Sequence, residues 1–288
     1  MKKELKFFSG KLFLITGGSS GIGLSTAKKA FSYGASVWLI ARDLSKLQNA
    51  IKEIELFRIN NEQNIGFSIA DISDEKQAFT AVNQVKEKIG LPDFVINSAG
   101  ITHPGYFQDI ECEVFRRQME VNYFGTLYVI KGIIPDMIKR GSGYIVNISS
   151  LAGVIGTFGY TAYGASKFAV RGLSDTLRAE MKPLGINVSV VFPPDTDTPQ
   201  LAYEAPLKPF ETKIIAGSAG LVSPDKVAKD ILNGIMRKRY LIFSGFEGKF
   251  LFWLSGFLGW LQYPVMDWMV SDAISKKKRY MAKQSVNH

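Results

Sequence analysis

Tyr163 and Lys167 stand at i and i+4, and Ser150 lies upstream of them. On a helix this spacing puts the phenol and the ammonium on one face. An ammonium about 4 Å from a phenol, at an effective dielectric near 20, contributes on the order of 4 kcal/mol, enough to lower a tyrosine pKa near 10 by roughly 3 units. Tyr163 is thereby drawn towards the range of a general acid that protonates a carbonyl oxygen, with the Ser150 hydroxyl placed to hold that oxygen. Asn122 sits inside a long amphipathic stretch, where an amide is costly unless it has a task, such as holding a water that relays protons to Lys167. Each residue also has an ordinary reading: Tyr and Lys at helical spacing are common, and Ser149 and Ser150 suit a turn.

A proton delivered to a carbonyl calls for a hydride. The run TGGSSGIG, Thr16 to Gly23, follows a short apolar strand and opens a helix. Glycines at Gly17, Gly21 and Gly23 allow a tight turn and close approach of the backbone to a pyrophosphate, whose charge the helix N-terminus stabilises. Ser19, Ser20 and Ile22 complete this turn. At the end of the second strand an acidic residue would bind a ribose 2′-hydroxyl, whereas this chain has Ala41, Arg42 and, one turn on, Lys46. Arg42 can pair with a 2′-phosphate, so the expected cofactor is NADPH; a solvated arginine at a helix start is the alternative. Asp71, after the third strand, is placed to accept from the adenine amine or to cap a helix.

The elements that must position these residues alternate. Apolar runs at Leu12–Ile15, Val37–Ile40, Ile65–Ile69, Phe94–Ile96, Tyr144–Ile148, Val188–Phe192 and Tyr240–Phe243 read as strands. Between them, Ile22–Tyr33, Leu44–Glu55, Glu75–Lys88, Glu111–Lys139, Tyr163–Met181 and Pro224–Met236 read as helices, with Ser73 and Ser223 as N-caps. This is the pattern of an α/β fold with a doubly wound parallel sheet. Pro193 to Leu221 lacks periodicity and reads as a long loop of the kind that covers a site.

The 288 residues and 46% hydrophobic content suit one α/β domain with an appendage. We expect a catalytic domain over 1–245, an apolar segment over 246–270 and a basic tail over 271–288. The net charge of +9 is dispersed, becoming dense only at Arg237–Arg239 and Lys276–Arg279, which favours an anionic cofactor or membrane surface over a nucleic-acid groove. One cysteine, Cys112, excludes an internal disulfide, and His103 and His288 form no zinc pattern with it.

These motifs together resemble those of the short-chain dehydrogenase/reductase family over roughly residues 8 to 245. TGGSSGIG is similar to the family's glycine turn, NSAG at Asn97–Gly100 to its NNAG element with Ser98 for the second Asn, and Asn122, Ser150, Tyr163 and Lys167 to its catalytic tetrad. The resemblance implies Tyr163 as proton donor, Lys167 gripping the nicotinamide ribose as well as lowering the tyrosine pKa, Asn122 holding the proton relay and Asn97 at the cofactor. PPDTDTP, Pro193–Pro199, is similar to the stretch found in 3-ketodihydrosphingosine reductases, and implies Thr196 and Thr198 at the nicotinamide end. Packing of the helices at Glu111–Lys139 and Tyr163–Met181 between subunits, hence a homo-oligomer, is likewise implied by resemblance.

The expected activity is reduction of a long-chain keto lipid. Another ketone (a 3-ketoacyl thioester, a steroid or retinal) remains open, as does a protein that only senses the cofactor; His103 and Phe107 either line the substrate pocket or are plain loop residues. Phe250 to Val270 holds Asp267 as its one charged residue, is interrupted by Pro264 and is flanked by positive charge on both sides. That arrangement suits a hairpin or interfacial segment on the cytoplasmic face of a membrane better than a single span. A subunit interface or a lid over the substrate pocket is the alternative.

Overall fold

The computed structural model describes residues 2–216 and 220–286. A short helix α1 (Lys2–Phe8) leads into β1 (Leu12–Thr16), α2 (Gly21–Ser32), β2 (Ser36–Ala41), α3 (Leu44–Glu55), β3 (Ile65–Ile69), α4 (Glu75–Lys88) and β4 (Phe94–Asn97). The second half runs α5 (Cys112–Met119), α6 (Gly125–Arg140), β5 (Gly143–Ile148), α7 (Thr161–Met181), β6 (Ile186–Phe192), α8 (Pro199–Glu204), α9 (Phe210–Ala216), α10 (Pro224–Met236) and β7 (Leu241–Phe243). Helices α11 (Phe246–Leu258) and α12 (Gln262–Val286) follow.

All seven strands are parallel, in the order β3-β2-β1-β4-β5-β6-β7. Helices cover both faces, so β1 is buried throughout and carries apolar side chains in both directions. Phe13 and Ile15 join Phe31, Phe94 and Ile231 on one side, while Leu14 joins Ile40, Val95 and Ile133 on the other. Each such side chain, fully buried, stabilises the fold by roughly 1.5–3 kcal/mol. The chain leaves β1 towards β2 on one side and returns through β4 on the other, so a crevice opens beyond the C-terminal ends of β1 and β4.

Several expectations change in detail. The stretch from Glu111 to Lys139 is not one regular helix: a π-helical turn at Glu120–Phe124 separates α5 from α6 and contains Asn122. Asp74, not Ser73, caps α4, because its carboxylate reaches the Gln77 amide while Ser73 turns to Asp71. Ser223 does cap α10. The aperiodic stretch after β6 folds into α8 and α9, and residues 217–219 of it lie outside the described residues. Helix α12 runs straight through the boundary expected at residue 270, with Pro264 in its first turn, where a missing amide hydrogen breaks no helical bond.

Candidate active site

The crevice continues into a cavity of about 570 Å³ that holds most of the residues singled out by their chemistry. Its floor is the turn between β1 and α2. Thr16 Oγ1 accepts from the Ser98 and Ala99 amides, both at 3.2 Å, which ties this turn to the loop after β4. Gly17 has φ +65°, and a Cβ there would meet the Ala99 backbone at 2.8 Å. A Cβ on Gly23 would overlap the Gly17 carbonyl, so Gly23 serves helix–turn packing and does not line the cavity.

Ser20 is extended at the N-cap of α2, yet its side chain caps nothing. By contrast Asp43, Asp74 and Ser223 each accept an amide of the first turn they precede. The first turn of α2 therefore offers its amides to the cavity, which Ser19, Ser20, Gly21 and Ile22 line. That cradle fits the pyrophosphate of a dinucleotide. Arg42, Asp43 and Lys46 line the same cavity at the end of β2 and the start of α3, and the Asp43 carboxylate is taken by the Ser45 hydroxyl and the Lys46 amide.

Asp71 also lines the cavity, but its carboxylate is engaged: Arg117 Nη2 lies 2.7 Å from Oδ2, and the Ser73 hydroxyl and amide donate to Oδ1. Burial would raise this carboxyl, yet the hydrogen bonds from Ser73 and Arg117 hold it below the usual range. Arg42 approaches the same carboxylate at 3.8 Å. Asp71 thus orients Arg42 and Arg117 at the cavity edge, and it caps no helix. Asn97 is buried beneath the cavity, its Nδ2 donating to Asn147 Oδ1 at 2.9 Å; the cavity wall is formed by Ser98 to Ile101 instead.

The reacting end is built on α7. Tyr163 and Lys167 are both buried, and Lys167 Nζ donates to the Ile148 carbonyl at 3.0 Å. Burial alone lowers the Lys167 pKa to about 8. Burial also pushes the Tyr163 phenol up, although the Ser150 and Gln200 side chains favour its charged form. The expectation that Lys167 draws this pKa down is therefore corrected: the ammonium is turned to the Ile148 carbonyl, 5.6 Å from the ring centroid, and desolvation dominates. Ser150 caps the single turn at Leu151–Gly153 and lines the cavity, whereas Ser149 is buried and donates to the Lys167 carbonyl.

Asn122 joins two elements through its side chain. Its Oδ1 accepts the Ile101 amide at 2.8 Å, and its Nδ2 donates to the Ile101 carbonyl at 2.9 Å and to Ser166 Oγ at 2.8 Å. The side-chain amide clamps the loop after β4 to α7. The π turn sets that clamp, and π turns recur at functional sites.

Thr196 and Thr198 both line the cavity. Their hydroxyls serve local structure, Thr196 donating to the Pro194 carbonyl and Thr198 capping α8. His103 and Phe107 do not line the cavity: His103 Nδ1 pairs with Tyr203 Oη at 3.1 Å, and exposed Phe107 packs on Phe115.

The far wall comes from the apolar C-terminal segment, in the manner of the lid that its sequence left as an alternative. Leu251 and Leu254 from α11, with Val265, Met266 and Met269 from α12, line the same cavity as Tyr163. Phe252 holds α11 in place, packing on Phe192 and Phe243. Lys277 anchors α12 through Tyr106 Oη at 2.7 Å and Glu211 Oε1 at 3.0 Å. Sequence reasoning missed Asp195, Gln200 and Glu204, although Glu204 and Lys208 stand at i and i+4 on an otherwise apolar stretch, a signal that was available.

The description "short chain dehydrogenase" matches residues 11–206. The chain belongs to the short-chain dehydrogenase family and is an oxidoreductase dependent on a nicotinamide dinucleotide. It is 42% identical to a 3-dehydrosphinganine reductase of Danio rerio over 86% of this chain and 75% of that one. It is 40% identical to a 3-ketodihydrosphingosine reductase of Dictyostelium discoideum over 84% of this chain and 77% of that one. A short-chain dehydrogenase/reductase from Burkholderia phymatum, solved with NAD, superposes with a TM-score of 0.78 at 22% identity, over 88% of this chain and 96% of that one, a likeness of fold.

Proposed function

We propose that this protein reduces the 3-keto group of 3-ketodihydrosphingosine, a long-chain 2-amino ketone, to the alcohol with NADPH. The observation that carries the reading is the cavity itself: a buried tyrosine beside a dinucleotide cradle, under an apolar roof supplied by α11 and α12. The names of relatives at 40–42% identity support the same substrate. When bound, the nicotinamide supplies the hydride to the carbonyl carbon. Tyr163 gives its phenolic proton to the carbonyl oxygen, Ser150 holds that oxygen, and Lys167 brings positive charge to the site. Arg42 and Lys46 select the 2′-phosphate of NADPH.

Purified protein is expected to oxidise NADPH on addition of 3-ketodihydrosphingosine, and Arg42→Asp to shift its preference strongly towards NADH. Tight NADPH binding without turnover of any ketone would leave a cofactor sensor. Equal loss with both cofactors in the variant would remove Arg42 from the 2′-phosphate.

The same reading places the protein on the cytoplasmic face of a membrane. Among the described residues no helix is long and apolar enough to cross a membrane. Helices α11 and α12 and the turn between them instead expose Phe246, Trp253, Phe257, Trp260 and Trp268, each at least 69%, with Lys276 to Arg279 nearby in sequence. Aromatic side chains on one side and cavity-lining ones on the other suit a helix pair lying in the interface, where a lipid ketone can enter beneath it. Full-length protein should sediment with membranes, resist salt and be released by detergent; recovery in the soluble fraction without detergent would overturn this attachment. Assembly as a homo-oligomer through α6 and α7, which expose Ile138 and Phe168, belongs to the same proposal. The mass of the detergent-solubilised particle tests it, a monomer counting against it.

A further inference from the structure

Beside Tyr163 the cavity wall carries charge that neither the hydride nor the proton step uses. Glu204, the last residue of α8, is 6% exposed. Lys208 Nζ lies 3.0 Å from Glu204 Oε1 and 3.0 Å from Asp195 Oδ2, and its side chain is 8% exposed. One ammonium therefore serves two carboxylates, which leaves one negative charge in excess when all three groups are ionised. The Tyr160 ring lies by that ammonium, 5.9 Å from Nζ to the centroid. Asp195, Tyr160 and Glu204 line the same cavity as Tyr163, and both carboxylates act electrostatically on its phenol. Burial holds the Glu204 carboxyl above the usual carboxylate range, against the pull of Lys208.

A buried carboxylate in excess over its counter-ion is unfavourable until a further cation shares it. We infer that Glu204, supported by Asp195, is the specificity element for the substrate's amine and receives the ammonium on the carbon next to the reacting carbonyl. The inference rests on the 2-amino ketone reading above and deepens it. In such a substrate the ammonium and the carbonyl are neighbours, so a group that binds the first must stand beside the proton donor to the second. Glu204 lines the cavity with Tyr163 and acts electrostatically on its phenol, whereas Lys167 is held on the Ile148 carbonyl by its own hydrogen bond. A neutral ketone (a ketoacyl chain, a steroid or retinal) would leave the two carboxylates sharing the single Lys208 ammonium. Lys208 has a positioning role: it bridges α8 to the loop after β6 and keeps the two carboxylates together.

The test compares kcat/KM for 3-ketodihydrosphingosine with that for the 1-hydroxy-3-ketone of the same chain length that lacks the amine, in wild type and in Glu204→Gln. Wild type should prefer the amino ketone by about 10- to 100-fold, the weight of a hydrogen bond to a charged group. Glu204→Gln should collapse that ratio, chiefly through KM for the amino ketone, and Asp195→Asn should lower it less. NADPH affinity, measured by fluorescence, reports whether either variant has lost its fold; if Glu204→Gln has, the Asp195→Asn ratio decides. No preference in wild type, or a ratio preserved in the variants, would overturn the inference while leaving the reductase reading intact. If wild type reduces neither compound but does reduce another ketone, the reading and the inference fall together.

Discussion

Tyr163→Phe is expected to lower reductive turnover by at least about a hundredfold, the usual weight of a general acid, with NADPH affinity near wild type. The substitution keeps the ring, which is buried and lies 5.7 Å from the Tyr160 ring, and removes only the hydroxyl. Because burial raises the phenol, it stays protonated at neutral pH and holds its proton for the alkoxide that forms as hydride arrives. The charge that helps it has a narrower range. Lys167 titrates at about 8, below the ordinary lysine value, so its ammonium is present below that pH and lost as pH rises through it. Wild-type kcat/KM for reduction should therefore decline above about pH 8 in a profile taken between about pH 6 and 10. Steady-state NADPH oxidation and a fluorescence titration of the cofactor measure both effects. Turnover in Tyr163→Phe close to that of wild type would mean that the proton comes from elsewhere.

Chain length should have an effect as large. Each methylene taken from water into the cavity contributes up to about 0.8 kcal/mol, so six added methylenes can raise kcat/KM by up to about three orders of magnitude. The gain should level off once the tail fills the space under Leu251, Leu254, Val265, Met266 and Met269. A chain ending at Ser244 lacks that roof but keeps the glycine turn, Arg42, Tyr163 and Lys167. It should bind NADPH, reduce short ketones and lose most of the chain-length gain. It should also be less stable, since α11 covers Phe192 and Phe243 and α12 holds Lys277 on Glu211. A flat dependence on chain length in the full-length protein would reject the long-chain substrate.

How much of this could be read beforehand follows from the range of each interaction. The strands of a parallel sheet covered on both faces are continuous apolar runs, so the expected Leu12–Ile15 reappears in β1 with one residue added. Helices α3, α4 and α10 keep their expected bounds, because their apolar periodicity is local, although of the two caps read from sequence only Ser223 serves. The glycine turn and the i, i+4 pair at Tyr163 and Lys167 are also local: their spacing already puts the groups on one turn and one helix face. The glycine turn, the Tyr163–Lys167 pair on one helix and the doubly wound sheet were therefore contained in the sequence.

What the tertiary structure decided depends on residues far apart in the chain. The direction of the Tyr163 pKa is set by how much protein surrounds it, and burial outweighs an ammonium that Ile148 draws away. Asn122 clamps Ile101 to Ser166 only because a π turn brings it there, and a hydrogen bond between separate elements leaves no periodic trace in the sequence. Glu204 and Lys208 stand one helical turn apart, but only the burial of α8 in the cavity wall makes their charge matter. The apolar C-terminal stretch announced a greasy segment but not its two sides. Only its packing against β7 and α9 separates the side chains that roof the cavity from the aromatic ones left exposed.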